Sequence, residues 1–131
     1  MKDNKKKILI LGSTGMLGSE VLKVFSESEK YKIYTNLRNL SQKKNFKINN
    51  LDKITFFKFD AKIDNINKLK RYITRSTIII NCIGIIKPHI NESNQESILN
   101  AIQINSLFPN QLSKKFKKNK IYQIATDCVF S

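Results

Sequence analysis

A glycine-rich turn near the amino terminus narrows the choice of fold more than any other part of the sequence. Four apolar residues, 8–11, are followed by glycines spaced G-x-x-G-x-x-G, and an amphipathic stretch comes next. A strand, a turn and a helix of this kind are typical of sheets that bind dinucleotides. In that pattern Gly12 turns the chain off the strand, Gly15 lets the backbone approach a pyrophosphate, and Gly18 lets the helix pack closely on the sheet. The segment therefore predicts a dinucleotide site.

The remainder of the chain alternates apolar runs with stretches of helical periodicity. This pattern predicts strands over 7–11, 31–35, 54–59, 77–83 and 121–130, and helices over 16–29, 63–73 and 92–118. The polar segment 38–51 predicts a loop with room for a short helix, and Pro109 is expected to kink or divide the last helix. The helix residues expected to face the sheet are Leu17, Val21, Leu22, Val24 and Phe25, then Ile63, Ile66, Leu69 and Ile73, then Ile98, Ile102, Leu107 and Leu112.

This alternation predicts an α/β fold. Strands separated by helices form a parallel sheet through right-handed crossovers. We expect a Rossmann-type, doubly wound sheet of order 3-2-1-4-5, truncated after the fifth strand. The 131 residues are enough for one domain, residues 1–131, but not for a further substrate domain. The interpretation is therefore an NAD(P)-binding Rossmann domain that lacks the substrate-binding part.

The glycine turn and the neighbouring strand ends supply the candidate cofactor contacts. The amides of residues 14–17 are expected to be free and to point at the phosphates, where the helix dipole also favours negative charge. The only glycine outside the turn, Gly84, follows the fourth predicted strand. The predicted cofactor-binding residues around these features are Gly12, Ser13, Thr14, Gly15, Met16, Leu17 and Gly18.

The end of the second strand bears on which nicotinamide cofactor is bound. NAD-binding sheets usually place an acid there for the ribose 2′-hydroxyl, and NADP-binding sheets use an arginine. Here Arg38 follows the strand and no acid is present, so NADP(H) is favoured over NAD(H). Lys43 and Lys44 are expected to add positive potential. The alternative is that Arg38 is only a surface residue.

After the third strand, Asp60 and Ala61 are further candidates. The Asp60 carboxylate can accept a hydrogen bond from the adenine amino group, or it can cap the next helix. The residues alone do not choose between these roles.

Composition limits the other classes of function. The net charge is +14, but lysines are scattered and arginine appears only three times, so nucleic-acid binding is disfavoured. With one histidine and two cysteines, Cys82 and Cys128, there is no ligand set for a metal, and the cysteines are expected to be buried and reduced. No apolar run approaches the roughly 20 residues of a membrane span, and we expect a cytoplasmic protein.

Several of these residues, taken together, resemble a known family. The glycine spacing, the pair Asp60-Ala61 and the segments 81–84, 105–109 and 126–130 are similar to those of extended short-chain dehydrogenases/reductases. The run Thr126-Asp127-Cys128-Val129-Phe130 most resembles the dTDP-4-dehydrorhamnose reductases and their sugar-nucleotide relatives. The resemblance implies that Cys82, Ile83 and Gly84 line the cofactor, alongside Arg38, Asp60 and Ala61.

The resemblance also implies a reaction and its residues. Thr126 would be catalytic, hydrogen-bonding the substrate carbonyl while a hydride reduces a 4-keto sugar on a nucleotide carrier in polysaccharide synthesis. Thr126, Asp127 and Lys87 are the predicted substrate-binding residues. Asn105 is expected to hydrogen-bond neighbouring backbone and shape the site, whereas His89 is expected to be exposed and idle.

The sequence departs from the family pattern in two ways. Cys128 stands where the family usually has tyrosine. The Tyr-x-x-x-Lys pair, which donates the proton and holds the nicotinamide ribose in the family, is not present before the sequence ends at Ser131. We therefore expect a fragment that is inactive alone. Epimerase, dehydratase and non-catalytic binding functions, and a homodimer of the full-length protein, stay open.

Overall fold

A parallel five-stranded sheet forms the centre of the computed structural model, which describes residues 4–124. The strands are β1 Lys6–Leu11, β2 Tyr31–Leu37, β3 Ile54–Lys58, β4 Ile78–Asn81 and β5 Ile121–Gln123, and the α-helices are α1 Met16–Ser26, α2 Gln95–Ile102 and α3 Phe108–Lys115. The strand order is β3-β2-β1-β4-β5, and each pairing in this sheet is parallel. The predicted Rossmann-type fold and its order are confirmed.

The central position of β1 follows from its sequence. Its last four residues are apolar and at most 1% exposed, because both faces of the strand are covered. On one face Ile8 and Ile10 pack with Leu22 of α1. On the other face Leu9 and Leu11 belong to a cluster with residues of the segments 104–116 and 57–73. Successive side chains of β1 thus point to opposite layers.

The helical connections differ from the prediction. The segments Leu40–Asn45, Leu51–Lys53, Ile66–Tyr72 and Lys87–His89 are 3-10 helices. The predicted helix over 63–73 is partly correct: a turn occupies 61–64, and a 3-10 helix begins after Asn65, whose side chain accepts from the Asn67 amide at 2.9 Å. Leu69 is buried, and Ile66 and Ile73 pack against the core as predicted. Ile63, expected to face the sheet, is 76% exposed.

The first and last helices bury some of the predicted residues, such as Leu22 and Leu112, and expose others. In α1 the buried positions are Gly18, Leu22 and Ser26, and Leu17 and Val24 are exposed. Between α2 and α3 the chain forms a π-helix, Gln103–Leu107, whose wider turn shifts the buried stripe. Ile102 and Leu107 are therefore exposed, and the buried residues of this long helix are Ala101, Ile104, Phe108 and Leu112.

The long helix changes type before Pro109 and is not interrupted: the π-helix ends at Leu107, and Pro109 lies in the first turn of α3. Within residues 4–124, no helix has the length and apolar character needed to cross a membrane.

Candidate functional site

The chain leaves β1 through a turn that requires glycine. Gly12 has φ of +85°, a conformation that residues with a Cβ rarely adopt. A Cβ at Gly12 would also lie 2.8 Å from the backbone nitrogen of Ile83 and 2.9 Å from the carbonyl carbon of Cys82. The turn after β1 is therefore in close contact with the chain that leaves β4.

The other two glycines of the turn have different surroundings. A Cβ at Gly18 would lie 1.9 Å from the carbonyl oxygen of Gly12, so glycine is required where α1 crosses the turn. A Cβ at Gly15 would meet only that same oxygen, at an ordinary 3.6 Å. The fold itself has room for a side chain at Gly15. An advantage of glycine there lies in the close approach of a ligand from outside.

The amino terminus of α1 presents backbone amides that the protein leaves largely uncapped. Gly15 is the N-cap residue and makes no side-chain cap. Its own amide donates to the Gly12 carbonyl oxygen at 3.2 Å, so the prediction that every amide of residues 14–17 is free is wrong for this one. The amides of Thr14, Met16 and Leu17 make no hydrogen bond within residues 4–124. Such a helix terminus favours an anion.

The buried side chain of Ser13 holds the glycine turn against the sheet. Its side chain is fully buried, and its hydroxyl is hydrogen-bonded to that of Thr35 at 2.8 Å. The Thr35 hydroxyl lies 2.7 Å from the Ile10 carbonyl oxygen, to which it donates. The Ser13 side chain therefore ties the turn to β1 and β2 and is not available to a ligand.

A cavity of about 450 Å³ opens at the carboxyl ends of β1, β2, β3 and β4. Nine of the thirteen predicted cofactor-binding residues line it, and Ser13, Met16, Leu17 and Gly18 do not. The sequence analysis did not assign Asn36, Lys62, Ile85 or Ile104, and it expected His89 to be idle. The lining residues are Gly12, Thr14, Gly15, Asn36, Arg38, Asp60, Ala61, Lys62, Cys82, Ile83, Gly84, Ile85, His89 and Ile104.

Asn36, near the end of β2, connects three strand ends. Its side-chain oxygen accepts from the Gly12 amide at 2.9 Å, and its side-chain nitrogen donates to the Phe59 carbonyl oxygen at 2.9 Å. The residue is 5% exposed. Both ends of the amide are thus committed to the backbone, and Asn36 fixes the glycine turn relative to the exit of β3.

Two cations lie on the β2–β3 side of the cavity. Arg38 follows β2, Lys62 follows β3, and both line the cavity with exposed side chains. Neither Lys43 nor Lys44 lines it, and the Lys43 ammonium instead lies 5.4 Å from the centre of the Phe56 ring. The lysine in the cavity wall is therefore Lys62, and neither Lys43 nor Lys44.

A hydrogen-bonded turn after β3 holds Asp60 in the cavity wall. One Asp60 carboxylate oxygen accepts from the Lys62 amide at 2.9 Å within this turn, and the next helix is capped by Asn65 and not by Asp60. The Asp60 amide donates to Asp64 at 2.7 Å, and Lys68 pairs with Asp64 at 2.6 Å. The hydrogen bond from Lys68 and that from the Asp60 amide lower the pKa of Asp64. The second Asp60 oxygen makes no hydrogen bond within residues 4–124, so it can accept from a ligand.

The chain beyond β4 forms the opposite wall. The Asn81 side chain is completely buried, accepts from the Ile83 amide at 3.1 Å and donates to Gln123 of β5 at 2.8 Å. Cys82 is half-buried, and burial raises the pKa of its thiol, so the side chain is an apolar surface at neutral pH.

The π-helix connects both walls. The Asn105 side chain accepts from the Ile85 amide at 2.8 Å and donates to the Ile85 carbonyl oxygen at 2.8 Å, which confirms the predicted backbone contact. The Gln103 side chain donates to the Ala61 carbonyl oxygen at 3.3 Å. Ile104, between them, lines the cavity. Consecutive residues of one turn therefore hold the β3 exit and the β4 exit together.

The remaining predicted residues are only partly described. Lys87 begins the 3-10 helix Lys87–His89, and its side chain is outside what the structure describes. Thr126 and Asp127 lie outside the described residues 4–124. Within that range no three His, Cys, Asp or Glu residues form a cluster that could hold a metal ion.

Together these features define a long cavity with three parts. Backbone amides lie at its centre, cations and an acid lie on the β2–β3 side, and the apolar residues Ile83, Ile85 and Ile104 form the β4 side. A ligand that combines a planar base, a diphosphate and a second ring matches this sequence of surfaces. Fold and site together define the class of Rossmann-type α/β domains with a cleft at the carboxyl ends of the strands.

The family follows from a comparison with known sequences. The model of the "NAD dependent epimerase/dehydratase family" matches residues 8–131. The chain therefore belongs to this family. No curated protein matches the sequence.

Solved structures share the fold. A short-chain dehydrogenase/reductase from Saccharomyces cerevisiae has a TM-score of 0.70 at 18% identity, over 96% of this chain and 56% of its own. An oxidoreductase from Lactococcus lactis has a TM-score of 0.63 at 23% identity, and the match covers 92% of this chain and 48% of that protein. A third structure is a UDP-glucuronic acid 4-epimerase mutant from Bacillus cereus in complex with a fluorinated UDP-sugar and NAD. Its TM-score is 0.65 at 18% identity, and the match covers 88% of this chain and 37% of that protein. The chain thus spans about half the length of the structures it resembles.

Proposed function

We propose that this chain is the cofactor-binding part of an NADP(H)-dependent reductase that acts on a nucleotide-linked 4-keto-deoxysugar. The observation that carries the proposal is the uncapped terminus of α1 at the centre of a cavity that crosses four strand ends. Gly15 adds support, because the fold has room for a Cβ there and a ligand that approaches closely is a reason for glycine. The cofactor residues predicted from sequence stay part of this proposal, except for the buried side chain of Ser13.

The residues present can hold the cofactor in a defined direction. The amides of Thr14, Met16 and Leu17 would receive the pyrophosphate. Asp60 and Ala61 would contact the adenine, and the chain beyond β4 would cover the nicotinamide half with apolar groups. The bound cofactor supplies the hydride. What this chain adds is orientation, and it excludes water from one side through Ile83 and Ile104.

The preference for NADP(H) rests on the end of β2. Arg38 lines the cavity there, and the neighbouring Asn36 has both amide groups bound to backbone. No acid on β2 is therefore available for the ribose 2′-hydroxyl, whereas a cation is available for a 2′-phosphate.

The substrate class rests on the sequence after β5. Thr126 would hydrogen-bond the substrate carbonyl, and Asp127 and Lys87 would contact the sugar nucleotide, as the resemblance of the run 126–130 implies. The Bacillus cereus epimerase, which shares the fold, was solved with a UDP-sugar. Epimerase or dehydratase chemistry on a nucleotide sugar is equally compatible with this cavity. A cytoplasmic reductase of polysaccharide synthesis, homodimeric at full length, is the specific form we propose.

Cofactor titration tests the binding proposal. NADPH and NADH are titrated separately into the folded chain, with folding checked by circular dichroism. We expect micromolar binding of NADPH and weaker binding of NADH. The proposal fails if neither cofactor binds below millimolar concentrations while the chain is folded.

The genomic sequence after the codon of Ser131 tests the catalytic proposal. An open frame that supplies Tyr-x-x-x-Lys supports a reductase or epimerase, and turnover of a dTDP-4-keto-6-deoxysugar with NADPH would then separate these two. A stop codon at that point supports the second candidate, a non-catalytic NAD(P)-binding module.

A further inference from the structure

We propose that Lys62 is a specificity-determining residue that acts with Arg38 to select a cofactor carrying a phosphate on its adenosine ribose. This inference rests on the proposed cofactor function. Lys62 was not among the residues singled out from sequence. It enters the argument because the structure places it in the cavity wall, after the strand next to the one that Arg38 follows.

The backbone that carries Lys62 is fixed. Its amide donates to Asp60 at 2.9 Å, and the Asp60 carbonyl oxygen accepts from the Ile63 amide at 3.2 Å and from the Asp64 amide at 2.8 Å. The Asp60 amide is held in turn by the Asp64 carboxylate. These bonds close a tight turn with Lys62 inside it. The backbone of Lys62 is therefore already ordered, and only the Lys62 side chain has to become ordered when a phosphate binds.

The charge balance of the cavity gives Lys62 its importance. Arg38 and Asp60 both line the cavity and carry opposite charges, so at a distance they largely cancel. Lys62 makes the charged lining of the described cavity net positive. Asp64 is close in sequence, but it is already paired with Lys68 at 2.6 Å. A ligand with an additional phosphate dianion is thus attracted by the net positive charge that Lys62 adds, because the charge of Arg38 is largely cancelled by Asp60.

The alternative mode of ribose recognition is blocked by the same local structure. An acceptor for the ribose hydroxyls would be expected near the end of β2. Asn36 is there, but its oxygen is bonded to the Gly12 amide and its nitrogen to the Phe59 carbonyl oxygen. Selection at this end of the cavity therefore depends on the cations and favours the phosphorylated ribose.

Substitution of Lys62 tests this inference directly. Dissociation constants of NADPH and NADH are measured for the wild-type chain, Lys62→Gln and Lys62→Arg. Lys44→Gln is the matched control, because Lys44 is an exposed lysine of the same region that does not line the cavity. The measurements are repeated with 2′,5′-ADP and 5′-ADP, which keep the adenosine end and omit the nicotinamide.

We expect Lys62→Gln to weaken NADPH and 2′,5′-ADP by about five- to tenfold, as for the loss of one charge-assisted contact. NADH and 5′-ADP should change less than twofold, and the effect should shrink at high salt. Lys62→Arg should restore most of the loss, and Lys44→Gln should have no effect. Equal weakening of NADPH and NADH, or no weakening, overturns the role of Lys62 but leaves cofactor binding intact. A wild-type chain that binds neither cofactor overturns the proposed function itself.

Discussion

Replacing Gly18 by alanine should destabilise the fold, whereas replacing Gly15 by alanine should leave the fold intact and weaken cofactor binding. The two residues belong to the same turn and would each gain one methyl group. Their surroundings differ: the new Cβ would lie 1.9 Å from a backbone oxygen at Gly18 and 3.6 Å from the same oxygen at Gly15. The pair therefore separates a glycine that packing needs from one that a ligand needs.

The size of the effect follows from the contacts at Gly18. Ordinary contact begins near 3.4 Å, so the methyl group is about 1.5 Å too close to the Gly12 oxygen. The opposing atoms are backbone and cannot rotate away, so α1 has to move outward and lose contacts of Leu22 with the sheet. Overpacking costs about 1–3 kcal/mol or more, and the better helix propensity of alanine returns at most about 1 kcal/mol. We expect a net loss of about 2 kcal/mol.

Gly15→Ala should change the free energy of unfolding by less than about 1 kcal/mol. The φ of Gly15 is −76°, which alanine adopts readily, and the smaller entropy of the unfolded chain partly offsets the weaker N-cap. Its affinity for NADPH should fall at least tenfold, because the methyl group projects where the diphosphate approaches.

Urea unfolding followed by far-ultraviolet circular dichroism measures the stabilities, since the chain has no tryptophan. NADPH fluorescence titration measures binding. If Gly18→Ala unfolds at the same urea concentration as the wild type, the close packing of α1 on the turn is refuted. If Gly15→Ala binds NADPH as well as the wild type does, the diphosphate does not lie at this terminus.

Three further substitutions test the supports of the cavity. Asn36→Ala should cost about 3 kcal/mol in urea unfolding, because it leaves two backbone groups of neighbouring strand ends unpaired; an unchanged urea midpoint would contradict this role. Asn105→Ala should cost about 1–2 kcal/mol and increase proteolysis of the chain beyond β4; unchanged protection there would contradict its bracing role. The pKa of Asp64 is lowered below its ordinary value of 3.8 by its lysine partner and a backbone amide, so the stability that it contributes is present above that pH and lost as pH falls below it. Asp64→Asn should therefore be less stable than the wild type at pH 6, and this difference should disappear near pH 2.

The sequence was sufficient for those parts of the fold that depend on local patterns. The apolar runs predicted the strands, and the rule for crossovers then predicted their order. The position of the cavity could be predicted from the glycine turn, because the strand, the turn and the helix follow one another directly in the sequence. Nine cofactor candidates consequently line the cavity.

Other features could not be predicted, because they depend on distant contacts or on single hydrogen bonds. Asn36 is one asparagine among many, and its role appears only when Gly12 and Phe59, more than twenty residues away on either side, are brought next to it. Lys62 and Lys43 look alike in sequence, and a turn decides which one faces the cavity. The π-helix adds a residue to one turn, so a stripe drawn with regular helical spacing misses Ile104 and selects the exposed Leu107.

The place of β1 in the middle of the sheet affects how the protein can be made. Ile8 pairs with Ile33 on one side and with Ile78 on the other, so the second partner is translated much later than the first. At about 5–20 residues per second, the forty-five residues from Ile33 to Ile78 take roughly 2 to 9 s. Throughout that interval a newly synthesised β1–α1–β2 unit has an open apolar edge, which chaperones or other chains can bind. Nascent chains halted before and after residue 81 should differ sharply in protease resistance, with protection of β1 only in the longer ones.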